Sequence, residues 1–168
     1  PVALGRSGAL AAIKGCAHVA NLPEHIAIRM RDAAASVLGE RRNPAIDCAV
    51  LKDDQATGRG GAVVLWAECE DAALGAGRVA EPGVPAEALG ESAAKELLFD
   101  LETNVTADVH AADQLLIYFA LAGGGSLLTR EYSSHAATAA WLLEQFLPVR
   151  FEVSKLGALT RVAVSTLS

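Results

Sequence analysis

The chain has 168 residues and a mass of 17.4 kDa, enough for one ordinary domain or two small ones. Hydrophobic residues make up 52% and charged residues 20%, which excludes an intrinsically disordered chain. Fourteen Lys and Arg against 20 Asp and Glu leave a formal net charge of −6. That makes a poor nonspecific nucleic-acid binder, because such affinity comes from cations neutralising phosphates; local contact with a nucleic acid end stays open.

The elements follow in chain order. Residues 9–13 read as a short strand. Pro23 suits a helix start, and Ile26, Met30, Ala33 and Val37 repeat at helical spacing until Gly39. Residues 44–51 read as a strand, 53–61 as a turn-rich loop, 62–67 as an apolar strand and 74–79 as one more strand. Pro85 fits the first turn of a second helix, with Leu89, Ala93, Leu97 and Leu101 on one face. A third helix is predicted over residues 107–121, stopped by the glycines at 123–125, with an extended segment at 127–130. Ser133 or Ser134 caps a fourth helix that carries Trp141 and Leu142 and stops before Pro148. Alternation of Val149, Phe151 and Val153, and again of Val162 and Val164, predicts a hairpin turning at 155–158. Interleaved strands and helices make the class α+β or α/β.

Few residues offer chemistry on spacing alone. Cys16, Cys48 and Cys69 are odd in number and contain no Cys-x-x-Cys pair, so they read as reduced thiols of a cytoplasmic protein. His18 and His25 have no acidic or cysteine partner at a telling spacing. His110 lies three and four residues before Asp113 and Gln114, which puts all three on one helix face. That face is either a polar site or the solvated side of an amphipathic helix. His135 follows the cap of the fourth helix, where unpaired amides and the helix dipole attract phosphate. It is either structural or a nucleophile toward phosphorus. The glycine-rich stretches at 57–61 and 123–126 lack the strand–loop–helix context of a phosphate loop and read as a turn and a helix stop. No apolar run reaches the ~20 residues that span a bilayer, the first residues do not form a signal peptide, and the missing initiator Met suggests a piece of a longer protein.

Longer stretches carry a resemblance. Residues 108–115 (DVHAADQL), 120–124 (ALAGG), Ser134-His135 and 144–151 (EQFLPVRF) closely resemble the C-terminal part of RNA 3'-terminal phosphate cyclases. Residues 58–68 (GRGGAVVLWAE) and 83–90 (GVPAEALG) resemble the insert domain of that family. The likeness runs from about Gly5 through nearly the whole chain.

The resemblance implies an α+β chain: an insert over residues 16–104, with a four-stranded sheet and two helices in thioredoxin-like outline, and residues 1–15 and 105–168 completing a β/α repeat of the catalytic domain. It implies ATP-dependent conversion of an RNA 3'-phosphate end to a 2',3'-cyclic phosphate, with Mg or Mn as the divalent metal. His135 matches the histidine that accepts AMP. Asp113 and Gln114 match a pair beside the adenylate, and His110 stands where the family often has a Tyr against the base. Ala139 replaces a frequent Asn, and Ala136 and Ala137 replace bulkier residues. No metal ligand is assigned to this chain. Family members are about twice as long, so the expected partners are the RNA end and an N-terminal half. A noncatalytic cyclase-like factor in ribosome maturation or assembly is the alternative; retention of His135 favours the enzyme.

Overall fold

The computed structural model describes residues 2–39 and 42–167. Twelve elements follow in order: β1 (Val2–Ala3), β2 (Leu10–Ala20), α1 (Glu24–Leu38), β3 (Ala45–Leu51), β4 (Gly60–Cys69), β5 (Ala73–Val79), α2 (Ala86–Glu102), α3 (Val109–Leu121), β6 (Gly124–Thr129), α4 (Ser134–Phe146), β7 (Val149–Leu156) and β8 (Leu159–Thr166). They divide into two compact units, one of Leu10–Cys69 and Leu74–Phe99, the other of Pro1–Ala9, Glu70–Ala73 and Asp100–Ser168.

The first unit holds a four-stranded sheet in the order β3-β2-β4-β5. β2 pairs parallel with β3 across the α1 crossover and antiparallel with β4. Along β2, Ile13, Ala17 and Val19 point into the core while Lys14, Cys16 and His18 face the other way. Val63, Leu65 and Ala67 do the same on β4. This is the expected α+β outline of four strands and two helices. β2 is longer than the strand expected at 9–13, and a seam at residue 16 falls inside it.

The buried stripe of α1 is Ala27, Met30, Ala34 and Leu38. The expected stripe of Ile26, Met30, Ala33 and Val37 is therefore rotated by about one residue. The reason is a close helix–helix approach. A Cβ added at Gly90 of α2 would lie 2.1 Å from the Met30 carbonyl oxygen, so α2 packs on the α1 backbone and selects its small residues. Gly39, at φ 78°, ends α1 by donating its N–H to the Ala35 oxygen.

The second unit has a sheet in the order β1-β6-β8-β7, with β1 parallel to β6 and the other pairs antiparallel. Helices α3 and α4 bury Ala112, Leu116, Phe119, Ala136 and Ala140 against Leu127, Val149, Val162 and Val164. Gly125 is required at its place on β6, since a Cβ there would meet the Phe119 ring at 2.5 Å. Of the three glycines expected to stop α3, Gly123 (φ 74°) ends the helix, whereas Gly124 and Gly125 already belong to β6. Gly157, at φ 62°, turns the β7–β8 hairpin in a two-residue loop between Leu156 and Leu159.

Candidate nucleotide site at the start of two helices

Two caps build the site. Asp108 caps α3, its carboxylate Oδ1 accepting the Ala111 N–H at 2.9 Å. The helix thus begins at Val109 rather than near 107, because Thr106 and Ala107 donate their amides to the Leu128 oxygen along β6. Of the two serines expected to cap α4, Ser133 does so, its Oγ accepting the Ala136 N–H at 2.9 Å. The same Oγ donates to Asp113 Oδ1 at 2.7 Å. A side chain on α3 is thereby tied to the first turn of α4.

Beyond that bond the two helices enclose a groove of about 440 Å³, lined by Asp113, Gln114, Ile117 and Tyr118 of α3 and by Ala139, Leu142 and Leu143 of α4. His110 is the second residue of α3 and His135 the second of α4, and both are exposed. Each stands one turn before groove-lining residues of its own helix, at i−3 and i−4 from Asp113 and Gln114 and at i−4 from Ala139. The amides of Ser134 and His135 lie in the first turn, where the helix supplies no acceptor. Ala139 leaves the groove wall open where a larger side chain would narrow it. His18 and His25 belong to the other unit.

The segment leading to His135 is held from below. Arg130 Nη1 donates to Asp100 Oδ1 at 2.6 Å, and Asp100 is fully buried. A buried carboxylate needs such a partner to offset its lost hydration. Tyr132 donates its hydroxyl to the Ala136 oxygen at 3.4 Å. Burial raises its phenol above the ordinary value, and the negative charges of Glu144 and Asp113 add to the effect. Neither Asp100 nor Arg130 was marked by a motif; they lie 30 residues apart, and no local periodicity joins them. Among the described residues, no group of three or more His, Cys, Asp and Glu side chains is gathered to hold a metal ion. Cys16, Cys48 and Cys69 are free thiols, and burial pushes Cys48 and Cys69 up in pKa. Among the described residues, no helix is long and apolar enough to cross a membrane.

Comparison with known proteins decides the lineage. The family model of the RNA 3'-terminal phosphate cyclase insert domain matches residues 6–102. The chain belongs to the RNA 3'-terminal phosphate cyclase family. A cyclase of that name from Nitrosospira multiformis is 52% identical over 163 residues, which are 96% of this chain and 46% of the relative. One from Methanosarcina barkeri is 38% identical over 91% of this chain and 44% of its own length. One from Pyrobaculum neutrophilum is 38% identical over 89% and 44%. The chain thus spans a little under half the length of these cyclases. The matched insert region ends before α3 begins, so the groove, His110 and His135 lie outside it.

Proposed function

We propose that this chain is the C-terminal half of an ATP-dependent enzyme that converts RNA 3'-phosphate ends to 2',3'-cyclic phosphates through a covalent histidine–AMP intermediate. The observation that carries this reading is the 2.7 Å bond from Ser133 to Asp113. It fixes a groove-lining carboxylate against the helix start that bears His135.

A nitrogen of His135 attacks the α-phosphorus of ATP; a nitrogen–phosphorus bond forms and pyrophosphate leaves. An oxygen of the RNA 3'-phosphate then takes the AMP, freeing the imidazole. The adjacent 2'-hydroxyl attacks the 3'-phosphorus and expels AMP. In this reading Asp113 and Gln114 hold the nucleotide, His110 stacks against its base, and the first-turn amides of α4 favour phosphate. Among the described residues no donor set is gathered for the divalent metal implied by the family, and we assign it no step. The remaining polypeptide of a full-length enzyme would supply the phosphate-binding cations and cover the apolar flank of α3 and α4. Free half-buried thiols fit a reducing, cytoplasmic setting.

The test is to combine the chain with the other half of the cyclase and incubate it with α-labelled ATP. Label should appear in an acid-labile, alkali-stable bond. His135→Ala should abolish it, and Asp113→Ala should slow it on the order of 10²-fold, the size of effect expected from misplacing a reactant. An acid-stable label that survives His135→Ala would put the nucleophile elsewhere. A wild-type assembly that takes no label would favour the noncatalytic assembly factor.

A further inference from the structure

We infer that Ser133 is a positioning residue that aligns the Asp113-held nucleotide with His135. The inference rests on the reading of His135 and Asp113 given above and gives the Ser133 hydroxyl, there only a structural link, a role in the reaction. A serine hydroxyl has one proton to give. Because Ser133 Oγ already accepts the Ala136 N–H at 2.9 Å, its proton is directed at Asp113 Oδ1, 2.7 Å away. That distance is typical of a hydroxyl donating to a carboxylate. The bond engages one oxygen of Asp113, a residue that also lines the groove.

The mechanical consequence follows from the cap. Ser133 does not merely touch α4; its Oγ takes the Ala136 amide and its backbone oxygen the Ala137 amide at 3.0 Å. Any rotation of the α4 start carries both the His135 backbone and the Ser133 hydroxyl. Asp113 is the α3 side chain that hydrogen-bonds that start. The hydroxyl therefore sets the distance between the carboxylate and the imidazole, two groups 22 residues apart in sequence.

The cap and the link can be separated by substitution. Glycine keeps most of the capping preference but offers no donor, and threonine keeps both functions. In the assembled enzyme, Ser133→Gly and Ser133→Ala should slow histidine labelling at saturating ATP on the order of 10²-fold, with the half-saturating ATP concentration changed much less. Ser133→Thr should recover labelling to near the wild-type rate. In a double-mutant cycle, Ser133→Gly should add almost nothing once Asp113 is Ala, because the pair acts as a unit. Wild-type-like labelling by Ser133→Gly, or losses that multiply in the double variant, would overturn the inference. So would a change confined to the half-saturating ATP concentration, which would make Ser133 a binding residue only. If the wild-type assembly takes no label on His135, the functional reading itself fails, and this inference falls with it.

Discussion

The two units finish their helices in opposite ways. On the insert unit, the outward sides of α1 and α2 are charged and cross-linked: Arg29 of α1 forks onto Glu87 of α2 at 2.5 and 2.7 Å, Lys95 pairs with Glu91, and Arg78 of β5 binds Glu96. On the other unit, α3 and α4 carry one charged residue each, Asp113 and Glu144. Their outer sides expose Tyr118 (65%), Leu121 (67%), Trp141 (62%) and Phe146 (77%). A helix apolar on both sides normally belongs inside a larger structure, and exposed apolar patches of this kind mark interaction surfaces. The insert unit cross-links its helices through charge, whereas the other unit leaves an apolar face on α3 and α4.

Three experiments would break or sharpen that contrast. The largest expected effect is Gly90→Ala. Its new methyl would meet a backbone carbonyl, not a flexible side chain, so the α1–α2 packing must open. A loss of about 1–3 kcal/mol, the range for overpacking, should appear in denaturant unfolding of the insert. An unchanged midpoint would show that the two helices are not locked through their backbones.

A second effect concerns association more than stability. Leu121→Lys with Phe146→Lys removes apolar surface that is mostly exposed, 67% at Leu121 and 77% at Phe146. Unfolding free energy should stay within about 0.5 kcal/mol of wild type, as for ordinary surface changes. Assembly with the other half of the enzyme should weaken in a titration followed by light scattering. Full assembly by the double variant would remove this face from the interface.

The smallest effect is a pH dependence. The folded state holds the Tyr132 proton more tightly than the unfolded chain, because burial and the nearby Glu144 and Asp113 charges disfavour the phenolate. The resulting stability is complete below the unfolded phenol value of about 10 and is lost as pH rises through the higher folded value. Tyr132→Phe should flatten the alkaline decline in melting temperature while leaving neutral behaviour alone. An identical decline in both proteins would assign it to other groups.

Much of this molecule was legible in its residues. Ser133 and Gly123 mark helix ends through their own hydrogen bonds or backbone freedom, and the β7–β8 alternation needs only near neighbours. The spacing of His110, Asp113 and Gln114 fixes their shared face once the segment is helical, and the resemblance gave those positions and His135 their candidate roles. What the sequence left undecided depended on contacts between distant elements. The buried stripe of α1 was set by Gly90, about sixty residues on, because a missing side chain attracts a helix backbone only after the chain has folded. The link from the polar face of α3 to the start of α4 runs through Ser133, twenty residues from Asp113, and the buried Arg130–Asp100 pair spans thirty. Local periodicity reports the chain's own dihedral preferences. Which faces meet is decided by packing density and by the need to satisfy buried polar groups, and both exist only in the tertiary structure.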